Sequence, residues 1–233
     1  MIIDCISDLH GHYPKLEGGD LLIVAGDLTA GDDFQGWLYF VAWLQMAKYK
    51  KKIVIGGNHD HWFVKNPPKE NTFGDDCSYL CDSGTEFMGR RIYGSPWTKS
   101  FPGMNAKRKA FTVDTEEELA AKWALIPDDI DILVTHSPPK GIMDEVTDYP
   151  FGKYLNCGSL LLLSRARSLL NLKLFVFGHI HEGYGILTPE GMQMTADQCP
   201  ERPPTCKTMP YIVNASHVDE RYQPVNKPIR LEL

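Results

Sequence analysis

Residues able to hold a metal and move protons recur at five places in the chain: Asp8 with His10, Asp27, the run Asn58-His59-Asp60, His136, and His179 with His181. Each group follows an apolar, often β-branched run, where a buried strand would end. The clearest case is residues 53–55, which lead through Gly56 and Gly57 into Asn58, His59 and Asp60; the glycines let backbone or ligand come close. Asp8 and His10 stand at i and i+2, as do His179 and His181, and on an extended chain that spacing aims both side chains to one face. Singly, each group has a bland alternative, because one histidine at a strand end is most often structural. Together they take five of the eight histidines, and ligands of α/β sheets gather at the carboxyl ends of strands.

Asp, Asn and neutral His donors suit Mn2+, Fe, Ni2+ or Zn2+ rather than Ca2+. There are too many for one ion with open positions. They suit two divalent transition-metal ions, Mn2+ foremost, with Asp27 giving one oxygen to each. Two cations about 3.5–4 Å apart stabilise both oxygens of an in-line phosphoryl displacement and acidify a bridging water.

The elements that must position these groups follow from hydrophobic pattern. Strands are expected over 2–7, 20–27, 53–55, 91–94, 130–135, 172–177, 211–213 and 229–233. Phe34, Trp37, Leu38, Val41 and Leu44 recur at helical spacing and predict a helix over 33–47 with a core stripe; Lys50, Lys51 and Lys52 then suit its C-terminal end. Thr115 followed by three glutamates predicts a capping box and a helix to Ile126. A helix with a broad leucine face is expected over 159–170, and loops over 66–76 and 141–158. Residues 98–114, with Lys107, Arg108 and Lys109, read as a solvated loop, or less readily as a flap facing substrate.

A length of 233 residues suits one large α/β domain or two small ones, and no repeat, low-complexity tract or linker divides the chain, so one domain over 1–233 is expected. The net charge of −6 argues against extended nucleic-acid binding. No run is long and apolar enough to span a bilayer, and no leader precedes the first strand, so a cytoplasmic protein with reduced cysteines is expected. Cys77 with Cys81 and Cys199 with Cys206 have poor zinc spacings and read as packing or loop thiols.

The order Asp-x-His, Gly-Asp, Gly-Asn-His-Asp, His, Gly-His-x-His resembles the calcineurin-like metallophosphoesterases. A closer likeness, to the small metallophosphoesterase-domain proteins related to class III phosphodiesterases, is carried by Tyr93-Gly94-Ser95-Pro96-Trp97, by His136-Ser137-Pro138-Pro139, by Gly178-His179-Ile180-His181-Glu182-Gly183, and by Val213-Asn214-Ala215-Ser216 with Tyr222-Gln223-Pro224. The resemblance implies an α/β fold, a four-layer α/β/β/α sandwich with the metal site at the carboxyl ends of the strands. It assigns Asp8, His10, Asp27 and His181 to one metal, and Asp27, Asn58, His136 and His179 to the other. His59 then protonates the leaving oxygen, and Asp60 sits behind the ligands, tuning a histidine.

Departures narrow the activity. Purple acid phosphatases have a Tyr where this chain has Ala30, and protein phosphatases carry an Arg soon after Gly-Asp that is missing from Gly26-Asp27-Leu28-Thr29-Ala30-Gly31. Without that Arg a dianionic monoester loses a bidentate partner. The expectation is a phosphodiesterase for small phosphodiesters, cyclic nucleotides among them, using hydroxide held between the metals and His59 as general acid. Alternatives are a phosphomonoesterase or nuclease of the same superfamily, or an inactive metal-binding scaffold that docks proteins. His12 and His61 adjoin the motifs and either line the substrate rim or are exposed loop residues; Lys140 either meets a phosphate or is solvated, and His217 reads as structural.

Overall fold

The structure, a computed structural model, describes residues 1–31, 33–69, 71–101, 104–105, 109–148, 153–189, 193–194 and 209–233. The chain opens β1 (Ile2–Ile6), β2 (Gly19–Ala25), α1 (Phe34–Met46), β3 (Tyr49–Ile55) and a short α2 (His61–Lys65). Next come β4 (Cys77–Tyr79), β5 (Ser83–Phe87), β6 (Arg90–Ser95), the two-residue strands β7 (Thr98–Lys99) and β8 (Thr112–Val113), and α3 (Glu116–Trp123). Then follow β9 (Ile132–Thr135), β10 (Glu145–Asp148), β11 (Lys153–Asn156), α4 (Leu160–Ser168), β12 (Leu174–Phe177), a 3-10 turn over His181–Gly183, β13 (Gly185–Leu187), β14 (Gln193–Met194), β15 (Tyr211–Asn214) and β16 (Ile229–Glu232).

Two sheets carry the fold. One has the order β16-β1-β2-β3-β4, the other β14-β13-β15-β12-β9-β6-β5. Their middle strands are parallel, and the stretches 21–25, 53–55, 132–134 and 174–177 are apolar throughout, as strands covered on both faces must be. Ile3, Cys5, Ile23 and Ile53 of the first sheet pack directly on Ile92, Ile132, Val176 and Val213 of the second. On its other face the first sheet meets Phe40, Val41 and Leu44 of α1. The second is covered by Leu119 and Trp123 of α3 and Leu162 of α4. The result is the expected α/β/β/α sandwich, in which each fully buried aliphatic side chain contributes about 1.5–3 kcal/mol.

Caps set the helix starts. Asp33 Oδ1 accepts from the Gly36 N–H at 2.8 Å, and Thr115 with Glu118 forms the expected capping box. The sheets meet at their functional ends through a parallel bridge between Ser7 and Ser216. There the Ser7 N–H donates to Ala215 O and the His217 N–H to Ser7 O, each at 2.8 Å.

Several expectations need correction. Lys50–Lys52 do not cap α1; they lie in β3, where Lys50 pairs with Asp20 at 2.7 Å and the buried Lys52 with Asp76 at 2.8 Å. The α1 stripe is only partly core: Phe34 is exposed and stacks on Trp37. The leucine face of α4 is narrower too, since Leu162 is buried and Leu160 exposed. Within 141–158, β10 and β11 form a hairpin, and β4 and β5 had no periodic signal. Cys77 and Cys81 are free thiols; Cys199, Cys206, Lys107 and Arg108 lie outside the described residues.

Candidate metal centre

The five strand-end groups converge. Asp27 Oδ2 is central, 3.4 Å from His136 Nε2, 3.6 Å from His10 Nε2 and 3.9 Å from His59 Nε2. Asp8 Oδ1 lies 3.4 Å from His181 Nε2. Asn58 Oδ1 meets His136 Nε2 at 3.1 Å, and the His136 and His179 ring centroids are 5.1 Å apart. Three overlapping triads, Asp8/His10/His181, His10/Asp27/His59 and Asp8/Asp27/His136, each keep their donor atoms within 4.8 Å.

Strand alternation does not produce this convergence. β1, β2 and β12 end at Ile6, Ala25 and Phe177, and the donors follow in left-handed backbone: φ is 52° at Asp8, 42° at His10, 53° at Asp27 and 70° at His179. Asp and His tolerate that region better than most side chains. Backbone bonds lock the turns, with Asp8 N–H to Gly26 O at 2.9 Å and His10 N–H to Asp27 O at 3.0 Å. Gly57 gives Asp27 its place, since a Cβ there would lie 2.3 Å from Asp27 Oδ1.

Asp8 accepts from the His179 N–H and from Ser216 Oγ, the latter at 2.9 Å. Asp60 is wholly buried. It accepts from the Gly57 N–H at 2.8 Å and the Leu28 N–H at 3.0 Å, so it ties the β2 and β3 loops together behind the ligands. Ring nitrogens facing outward are fixed: His136 Nδ1 is 2.8 Å from Ala25 O and His181 Nδ1 is 2.9 Å from Asp219 O. Both rings therefore turn Nε2 inward.

The electrostatics match a cation site. Burial would raise the Asp27 carboxyl, but the His136 and His59 imidazoles outweigh it and hold Asp27 well below the usual range. Asp8 is likewise lowered: the hydrogen bond and charge of His181 override burial. Burial disfavours charge on His136, yet the Asp27 and Asp8 carboxylates raise it to about 9. Burial pushes His10 down to about 4, and burial with His136 pushes His179 down to about 3. Among the described residues, buried His10 Nε2 meets no hydrogen-bond partner, as befits a nitrogen kept for a metal. Two acids, an amide oxygen and imidazole nitrogens form a donor set for divalent metal ions.

A cavity of about 890 Å³ opens on this cluster; Asp27, Asn58, His59, His179 and His181 form its polar wall. Lys99, Ser100, Phe101 and Met104 also line it, so this part of 98–114 does face the cavity. Lys140 lines it too and donates to Asn156 O. His12 and His61 are not among the lining residues. His12 is exposed, and His61 Nε2 accepts from the Lys109 N–H at 3.2 Å. His217 Nδ1 is 2.6 Å from Asn226 O, a structural contact. Tyr222 was missed by residue-type reasoning. Its ring lies 4.8 Å from His10, 5.2 Å from His181 and 6.2 Å from His59. The only sequence signal for it was its place in the Tyr222-Gln223-Pro224 likeness.

The Calcineurin-like phosphoesterase family profile matches residues 1–183, and the chain belongs to that family: it is a metallophosphoesterase, a hydrolase of phosphoric esters. It is 35% identical over 254 aligned positions to human "Metallophosphoesterase domain-containing protein 1", covering 98% of this chain and 70% of that protein. A UPF0046 protein of Caenorhabditis elegans is 35% identical over 204 positions, covering 79% of this chain and 70% of the relative. One crystal structure superposes with a TM-score of 0.53 at 13% identity over 91% of this chain and 89% of that one, a likeness of fold alone. Among the described residues no helix is long and apolar enough to cross a membrane.

Proposed function

We propose that the protein is a phosphodiesterase for small phosphodiesters, cyclic nucleotides among them. In this reading Asp8, His10, Asp27 and His181 hold one divalent ion, and Asp27, Asn58, His136 and His179 hold the second, with Mn2+ the favoured metal. Two such ions supply charge stabilisation for the phosphoryl oxygens and lower the pKa of water. Hydrolysis forms one P–O bond to a water oxygen and breaks the P–O bond to the leaving alkoxide. His59 Nε2 delivers the proton that the alkoxide needs. Its side chain is 21% exposed against 6% for His10 and 0% for His136, so of these rings it is the one open to the cavity.

The preference for a diester rests on the absence of an arginine from the described lining of the cavity and from the stretch that follows Gly26-Asp27. Lys99 Nζ is 3.9 Å from Glu116 Oε2, and Lys140 Nζ donates to the Asn156 carbonyl. A dianionic monoester needs a further cation; a monoanionic diester does not. The net charge of −6 supports small substrates over nucleic acid. The thiols of Cys77, Cys81 and Cys157, which form no disulfide, support a cytoplasmic setting.

Turnover of bis(p-nitrophenyl) phosphate and p-nitrophenyl phosphate with Mn2+ tests this. The diester should have the higher kcat/KM, by about tenfold or more. His59→Ala should lower kcat on a diester with a poor leaving group by about 10²–10⁴ while metal content stays unchanged. A preferred monoester would favour the phosphomonoesterase, and full metal loading without hydrolysis of any ester would favour the scaffold.

A further inference from the structure

The cavity extends well past the metal-binding wall, and its far side has its own chemistry. Phe101, Met104, Leu155 and Leu160 line it, and Phe101, Leu155 and Leu160 expose 57%, 47% and 61% of their surface. Three large apolar side chains left open around one cavity are suited to an apolar guest.

Among the described residues, the charged groups between them are three acids, Lys99 beside Glu116, and Lys140, whose ammonium donates to the Asn156 carbonyl and keeps its charge. Glu116, Glu182 and Glu220 line the cavity. Glu116 sits at the N-terminus of α4, where Oε1 accepts from Ser159 Oγ at 2.6 Å and from the Leu161 N–H at 3.4 Å. It therefore occupies the place an anionic group of a ligand would take at that helix end, and it also holds Lys99. Ser159 is fixed in turn by the Trp123 Nε1–H at 3.1 Å.

We propose that the substrate's arm beyond the scissile phosphate is apolar or aromatic and carries no second anion, and that Glu116 enforces this by rejecting a distal negative charge. The proposal rests on the phosphodiesterase reading and names the substrate class for it. The polar wall receives one monoanionic phosphate, the apolar side takes a ring or aliphatic arm, and a distal phosphate meets an already neutralised Lys99 and an unfavourable carboxylate.

Thymidine 5′-(p-nitrophenyl phosphate), with and without a 3′-phosphate, forms a substrate pair that differs by one distal phosphate, and Glu116→Gln separates the charge of that group from its bulk. The wild-type protein with Mn2+ should favour the 3′-hydroxyl form by about tenfold or more in kcat/KM. Glu116→Gln keeps the hydrogen bonds to Ser159 and Leu161 but removes the charge, and should shrink that ratio by about tenfold. Because the readout is a ratio within each variant, a general change in activity does not affect it. Leu160→Ser should raise KM for the aryl nucleoside diester severalfold but leave that for methyl p-nitrophenyl phosphate unmoved. Equilibrium binding of the matching non-hydrolysable phosphonates should give the same preference without turnover. Equal kcat/KM and equal binding for both members of the pair would overturn the proposal and leave the phosphodiesterase reading standing. Binding with the expected preference, but no hydrolysis of any diester, would sink the parent reading instead.

Discussion

His181 and Tyr222 share one acceptor. The Asp219 carbonyl lies 2.9 Å from His181 Nδ1 and accepts the Tyr222 N–H at 2.9 Å. The turn that presents Tyr222, at φ 59°, thus also fixes the orientation of a metal-facing imidazole. Asp219 Oδ1 braces that turn by accepting from the Arg221 and Gln223 N–H groups.

Removing the Tyr222 ring should loosen His10, His59 and His181 together. Tyr222→Ala is expected to lower metal affinity or kcat by about tenfold to a hundredfold, the range for groups that orient metal ligands. Tyr222→Phe keeps the edge-on ring packing and should remain near wild type. Metal titration and steady-state kinetics on both variants check this; equal losses would show that the hydroxyl, not the ring, matters.

Metal binding should release protons. A cation needs the His136 Nε2 lone pair, and His136 titrates near 9 with protein groups alone. Below that pH each binding event must displace its proton, so affinity rises with pH and levels off above about 9. His181 is also raised and adds to the release, whereas His10 at about 4 and His179 at about 3 are already neutral at pH 7. Between pH 7 and 8, Mn2+ affinity should climb by about tenfold per displaced proton. Calorimetry in two buffers of different ionisation enthalpy would count those protons directly.

Asp60→Ala should destabilise the fold as well as the site. It would orphan the buried N–H groups of Leu28 and Gly57, each worth about 1–3 kcal/mol when left unpaired. Urea unfolding should show a loss of about 2–4 kcal/mol, with weaker metal binding alongside. An unchanged midpoint would mean the loops hold without their tie.

The Lys52–Asp76 pair should respond unequally to its two removals. Lys52 is 3% exposed at its side chain and Asp76 43%. Asp76→Asn strands a buried ammonium and should cost about 3 kcal/mol or more, whereas Lys52→Met leaves a half-exposed carboxylate and should cost much less. Chemical denaturation of the two variants would reveal the asymmetry or its absence.

The site was legible because its donors are chemically conspicuous and each follows an apolar strand. The capping box at Thr115 was legible because local hydrogen bonds need only local sequence. Much else depended on partners remote in sequence. Lys52 reads as a solvated cation until β4 brings Asp76 beside it. The β10–β11 hairpin has mixed side chains with no clear period, so its pairing shows only in register. Tyr222 lies in a turn-rich tail, and nothing local says that the turn folds back onto three histidines. Even where the donors were right, extended alternation at Asp8–His10 was the wrong reason, because hydrogen bonds from other strands impose left-handed backbone there.

That backbone filters what these four positions can become. A replacement at Asp8, His10, Asp27 or His179 must coordinate a cation and also accept a conformation that most side chains resist. Glycine meets the second demand and offers no donor; glutamate or glutamine offers donors but resists the bend. Asparagine, aspartate and histidine are nearly alone in satisfying both. Random substitution there should almost never yield a merely weakened enzyme, and a glycine variant, though at ease with the bend, should be inert.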